Sequence, residues 1–328
     1  MQGGRRRPDQ KPYGDFRFLT LAAFLPGTRE CVMTDIRTQG DFAGLVDIGD
    51  GRRLYLECRG TGGPTVILLS GYGNAADMWS FAEAHPPAVM VGVASFTRVC
   101  AYDRPGSLIA TTVVDGTVTV APAQLAGRSD PAPMPRTAAD VVGELHTLLA
   151  AAPVPGPYVL AAHSLGGAFA NLYARTYSDQ VVGLVLVDPA QPFIRALFPP
   201  QEWKVNQEIG LRPQMPISGY EQEIYDQDAN YNQIEAAPPL RPMPVTILVR
   251  DHSDPVTSDL PADLAAVLSA MNGIWSQAQA EFAASIPGAR LITVPGTTHY
   301  IHTQRPDVVI NAVREVTAQV ASRRSTKT

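Results

Sequence analysis

The chain alternates short apolar runs with longer stretches in which apolar positions recur every three or four residues. Thr65-Val66-Ile67-Leu68-Leu69, Val182 to Val187 and Val245 to Val249 carry no charge at all, as parallel strands covered on both faces require. Thr97 to Tyr102, apart from Arg98, and Tyr158 to Ala162 and Leu291 to Val294 read the same way. The intervening stretches are helical. Thr137-Ala138-Ala139-Asp140 resembles a capping box, and Val141, Val142, Leu145, Leu148 and Leu149 then share one face. Phe169, Leu172, Tyr173 and Tyr177 follow at helical spacing, with further helices expected over 262–285 and 306–322 and Pro306 in the last one's first turn. Gly49-Asp50-Gly51, between Gly44 to Ile48 and Arg53 to Cys58, marks a hairpin. Strands alternating with helices predict an α/β fold, a mainly parallel sheet flanked by helices.

The rhythm breaks twice. Residues 107–136 are loop-like with a β-rich patch from Thr111 to Val120 and are read as an inserted excursion. Residues 189–244 are rich in proline and carry Phe193, Phe198, Trp203, Tyr220, Tyr225 and Tyr231. Such a segment is too long for an ordinary connection and is read as a lid or cap insertion, with a surface elaboration as the alternative. The expected division is a tail over 1–41, a core over 42–188 and 245–322, the insertion over 189–244, and a C-terminal tail over 323–328. Arg5-Arg6-Arg7 ahead of Phe18 to Leu25 superficially resembles an export signal. The apolar run is short and no small-x-small cleavage site precedes Arg29-Glu30. The segment is therefore read as a disordered tail, or as sequence upstream of a true start at Met33. A cytoplasmic address is expected, and export is the alternative.

Composition narrows the classes. At 328 residues, 45% hydrophobic and 17% charged, the chain is ordinary for a soluble enzyme. A net charge of −5 argues against nucleic acid as a partner. Three cysteines at wide spacing form neither a disulfide framework nor a metal motif, and Cys58 and Cys100 are expected to be buried small hydrophobes. No stretch is long enough to span a membrane.

The chemistry gathers around Ala162-His163-Ser164-Leu165-Gly166. A strand that turns into a helix at one serine has the geometry of a nucleophile elbow, here with Ala162 in place of the usual first glycine. A serine needs a base held by a third group, and sites in parallel sheets collect at the C-terminal ends of strands. The residues just past the later strands are Asp188, then Arg250-Asp251-His252-Ser253-Asp254, then Pro295-Gly296-Thr297-Thr298-His299-Tyr300-Ile301-His302. The order serine, aspartate, histidine is one of the three orders in which this chemistry occurs.

Ser70-Gly71-Tyr72-Gly73, Tyr102-Asp103-Arg104-Pro105-Gly106, His163-Ser164-Leu165-Gly166-Gly167, Leu186-Val187-Asp188-Pro189 and Gly296-x-x-His299 together resemble the α/β-hydrolase superfamily over nearly all of 42–322. The resemblance implies Ser164 as nucleophile, His299 as base, and the backbone N–H groups of Tyr72 and Leu165 as oxyanion donors. Ser70 replaces the histidine often found before that first glycine. Asp254 matches the superfamily's G-x-x-D spacing if Asp251 takes the glycine's place, and Pro255 would fix it. Asp188, followed by Pro189, is read as a strand-end residue, and Asp251 as too close to its strand. His302 is the rival base, otherwise a surface residue or one supporting the site from behind. His163 is read as a packed neighbour, His146 as solvent-facing, and Asp103 and Arg104 as braces for nearby loops. The implied reaction is hydrolysis of carboxylic ester-type bonds without metal or organic cofactor, on a small and apolar substrate suggested by the insertion's aromatics, Met215 and Met243. C–C, peptide and peroxy-acid hydrolysis use the same parts. A dehalogenase or epoxide hydrolase would need an aspartate at 164, and a ligand-binding protein with little turnover is the non-enzymatic alternative.

Overall fold

The computed structural model describes residues 41–325 apart from 115–116, 123–125, 153, 214–216, 255, 257 and 259. The expectations for the N-terminal tail, Met33, Met215 and Pro255 lie outside the described residues.

Eight strands form one sheet: β1 (Phe42–Asp47), β2 (Arg53–Arg59), β3 (Thr65–Leu69), β4 (Val99–Tyr102), β7 (Tyr158–His163), β8 (Val181–Val187), β9 (Val245–Arg250) and β10 (Arg290–Val294). Their order is β1-β2-β4-β3-β7-β8-β9-β10. The hairpin β1–β2 and the β2–β4 pair are antiparallel, and every other neighbouring pair is parallel. The β-rich patch forms a separate two-stranded ribbon, β5 (Ala110–Val114) and β6 (Thr117–Val120).

The uncharged runs serve two cores at once, because successive strand side chains point to opposite faces. Ile67, Leu69, Leu160, Ala162, Leu184, Leu186 and Ile247 face one core. It is closed by α2 (Ala138–Ala151), α3 (Leu165–Thr176) and α7 (Ala262–Ala284). Val66, Leu68, Val159, Ala161, Val185, Val187 and Leu248 face the other. That one is covered by α1 (Val89–Ala94) and by Val309, Val313, Val316 and Val320 of α9 (Pro306–Ser325), a helix that runs three residues past its expected end. The capping box forms, with Asp140 N–H donating to the Thr137 hydroxyl and the Thr137 N–H donating back to the Asp140 carboxylate. Among its described residues, segment 189–244 holds three helices: α4 (Phe193–Leu197), α5 (Pro200–Gly210) and α6 (Gln227–Ala236). A four-residue turn of helix, α8 (Ile301–Gln304), precedes α9.

One expectation is overturned. Cys58 and Cys100 are joined in a disulfide. They lie 42 residues apart in sequence but directly opposite each other on antiparallel β2 and β4. Strand register, invisible to sequence spacing, brings them together.

Candidate active site

Ser164 follows β7 directly and stands at the head of α3, with φ 52° and ψ −123°. A non-glycine residue holds this conformation only where its surroundings impose it. They do so here: the Ser164 N–H donates to Val187 O, while its carbonyl accepts from the N–H groups of Gly167 and Ala190. Ser164 occupies the N-cap position, yet its hydroxyl caps nothing. The Oγ instead lies 2.9 Å from His299 Nε2. The close approach of the turn to its neighbours demands small residues. A Cβ on Gly166 would lie 2.4 Å from Leu69 O and 2.7 Å from Ser70 O. A Cβ on Gly71 would lie 2.8 Å from His163 Nδ1.

His299 rises from the loop after β10 and crosses the ends of β9 and β8 to reach Ser164 on β7. On that path it meets the carboxylate at the end of β8. His299 Nδ1 lies 2.6 Å from Asp188 Oδ2. Asp188 is fully buried, has φ 46°, and its other oxygen accepts from Trp275 Nε1 at 2.8 Å and from the Arg250 N–H at 3.2 Å. The Arg250 guanidinium lies 3.7 Å from Asp188 Oδ2 and 4.8 Å from the Trp275 ring centre.

Asp254 therefore does not occupy the position expected of it. Its Oδ2 pairs with the Arg250 guanidinium, its backbone is bonded to Asn272 on α7, and its Oδ1 meets the His299 backbone N–H at 3.4 Å. It holds the loop, not the imidazole. Asp251 likewise accepts from the Gly296 and Thr297 N–H groups of that loop. The signal for Asp188 was present, since it ends its strand as the other candidates do. Pro189 does not turn it away from the site.

Behind His299 lie two further histidines. The His163 Nε2 lies 2.9 Å from His299 O, and its ring sits 4.2 Å from that of His302 and 4.6 Å from that of His299. His302 packs on Trp79 and is buried, which removes the surface alternative. Burial, reinforced by His299, pushes His302 down to about 3. Burial also drives His163 well below the ordinary histidine range, with His302 and then His299 adding to the effect. His146 stacks on Tyr177 and is only half exposed.

Ser70-Gly71-Tyr72-Gly73 runs beside the elbow, and a Cβ on Gly71 would lie 3.2 Å from Ser164 Cβ. Ser70 donates its hydroxyl to Ala75 O and accepts from Trp79 Nε1. The Tyr72 hydroxyl reaches Arg212 O, just past α5, and its ring packs edge-on against Tyr225 at 4.6 Å. Segment 189–244 thus touches the site. Met243, by contrast, precedes β9 at the opposite end of the strand from Arg250. No cluster suited to a metal ion occurs among the described residues.

The sequence matches the family described as "Alpha/beta hydrolase family" over residues 66–312. The chain belongs to this family. Among curated relatives, the protein YqjL of Bacillus subtilis is 29% identical over 40% of this chain and 42% of its own length. The chain spans less than half the length of the curated relatives it matches. Among solved structures, an esterase from Thermogutta terrifontis has a TM-score of 0.52 at 18% identity, covering 86% of this chain and 99% of that one. The carboxylesterase CesB of Bacillus subtilis gives 0.51 at 17%, covering 85% and 92%. Both share the fold.

Proposed function

We propose that the protein is a serine hydrolase of carboxylic ester-type bonds, using Ser164, His299 and Asp188. The observation that carries this reading is the continuous run of short contacts, 2.6 Å from Asp188 to His299 and 2.9 Å from His299 to Ser164. In the arrangement this supports, His299 accepts the Ser164 proton at Nε2 as Oγ attacks the carbonyl carbon. Asp188 fixes the tautomer through Nδ1–H and stabilises the imidazolium. The N–H groups of Tyr72 and Leu165 have no acceptor among the described residues and are free for the oxyanion. The first N–H of α3 also lies where the helix dipole favours negative charge. His299 returns its proton to the leaving alcohol, and water, deprotonated by the same imidazole, then releases the acyl group.

Family membership and the esterases among its structural neighbours support the same reaction class. Tyr72, Tyr225 and Trp275 around the site favour an apolar substrate. Segment 189–244 is read as the cover of that pocket. No helix among the described residues is long and apolar enough to cross a membrane. The expected cytoplasmic address rests on sequence alone, and the Cys58–Cys100 disulfide favours an oxidising compartment instead.

A fluorophosphonate probe tests the proposal when run beside a short-chain p-nitrophenyl ester assay. The label should fall on Ser164, and Ser164→Ala should lose hydrolysis by several orders of magnitude while staying folded. Labelling of another serine, or turnover by folded Ser164→Ala, would refute it. Absence of both labelling and turnover in the wild type would favour a ligand-binding role.

A further inference from the structure

Glu223 is a carboxylate from the middle of the inserted segment, between α5 and α6, and it is only 2% exposed. It is held there by backbone contacts to the turn after β4. Its N–H donates to Gly106 O, and a Cβ on Gly106 would lie 2.3 Å from Glu223 N. The flanking Tyr220 hydroxyl donates to Ser107 O. Glu223 meets Arg104, itself 1% exposed, through two bonds: Arg104 Nε donates to Oε1 at 2.6 Å and Nη2 to Oε2 at 2.9 Å.

Between them the two side chains grip the loop beside Ser164. Arg104 Nη1 donates to Ser70 O at 2.8 Å, and Nη2 donates to Gly71 O at 2.6 Å. Glu223 Oε2 accepts from the Gly73 N–H at 2.9 Å. The Gly71 carbonyl and the Tyr72 N–H belong to one peptide unit, which is trans. In a trans peptide these two groups point in opposite directions. Fixing the carbonyl on Arg104 therefore fixes the direction of the Tyr72 N–H.

We propose that Arg104 and Glu223 are positioning residues that aim the Tyr72 N–H at the oxyanion, so that the inserted segment supplies part of the catalytic geometry as well as a cover. This rests on the reading of Ser164 as nucleophile and Tyr72 as oxyanion donor. Arginine suits the task because its planar fork reaches four acceptor atoms at once, one more than the three N–H donors of a lysine can serve.

The test compares wild type, Glu223→Gln and Arg104→Lys, with rates divided by the number of sites that a fluorophosphonate titrates. A merely structural role lowers the number of titratable sites and leaves kcat per site unchanged. A positioning role lowers kcat per site by about 100-fold, as a lost or misdirected oxyanion donor does, with KM nearly unchanged. It also weakens a trifluoromethyl ketone, whose adduct carries the oxyanion, by the same factor. Should a single variant fail to fold, Arg104→Met with Glu223→Leu removes both charges together and leaves neither buried alone. That double variant should fold and show the same loss per site. Wild-type kcat per site in any folded variant would overturn the inference. A wild type that is not titrated at Ser164 would instead overturn the reading beneath it.

Discussion

Asp188 is the most constrained side chain in the site. It is fully buried, and it is bonded to His299, to the Trp275 indole and to the Arg250 backbone, with the Arg250 guanidinium alongside. A carboxylate taken out of water must be met by donors, and here each donor comes from a different element. Trp275 belongs to α7, Arg250 ends β9, and His299 follows β10. Asp254 is a third exposed and already committed to Arg250. Asp188→Asn should therefore lower kcat by about four orders of magnitude, because the wrong histidine tautomer is then favoured. Asp254→Asn should lower it far less, through a looser His299 loop. Steady-state kinetics on the two purified variants separates the roles, and collapse in Asp254→Asn with normal turnover in Asp188→Asn would return the role to Asp254. That Ser164 and His299 share one site was legible in the sequence, because each sits in a pattern with fixed neighbours. The place of Asp188 beside His299 was not, because several strands end in an aspartate. Only the path of the His299 loop across β9 and β8 selects among them.

At the scale of elements, the elbow shows which departures from a motif the backbone tolerates. Ala162 replaces the usual first glycine and is fully buried on the side of β7 that faces α3, so its methyl has a place. Gly166 has no such room, since a methyl there would strike two carbonyl oxygens of the strand end and loop at Leu69 and Ser70. Backbone atoms cannot swing aside as a flexible side chain can. Gly166→Ala should cost about 1–3 kcal/mol, in the range for overpacked sites. Urea denaturation measures this, and an unchanged midpoint would show that α3 can slide away from β3 freely. The strands and long helices were readable because their apolar positions repeat strongly. The helices of 189–244 were not. Among its described side chains, α5 buries only Trp203 and Gly210, and α6 buries the polar Gln227 and Asn230 beside Tyr231 and Ile234. Neither leaves a clean apolar stripe. Glu223 was invisible for the same reason, since a buried acid in such a segment reads like any surface acid.

For the molecule as a whole, the site stands just past the C-terminal ends of β7, β8 and β10, and the histidines behind it tie its integrity to pH. His163 and His302 are buried, and their rings contact each other, Tyr300 and, for His302, Trp79. The charged form of each is disfavoured first by burial and then by the neighbouring histidines. The folded values lie below the ordinary 6.5, at about 3 for His302. Between those limits the unfolded chain therefore binds more protons than the folded one. Stability is fully present above about 6.5 and falls as pH drops through this window. Asp77 titrates in the opposite sense. Burial raises it to about 6, so between its ordinary value and 6 the folded chain holds a proton that the unfolded chain does not. It offsets one of the two histidines there. Removing His302 alone should then flatten the dependence: between pH 6 and pH 4.5 the wild-type slope should exceed that of His302→Gln by about 1.4 kcal/mol per pH unit, one proton's worth. Urea unfolding free energies at three pH values in that range provide the comparison. Equal slopes would mean that His302 takes up its proton in the folded protein, and that the cluster behind His299 opens to water well before the sheet unfolds.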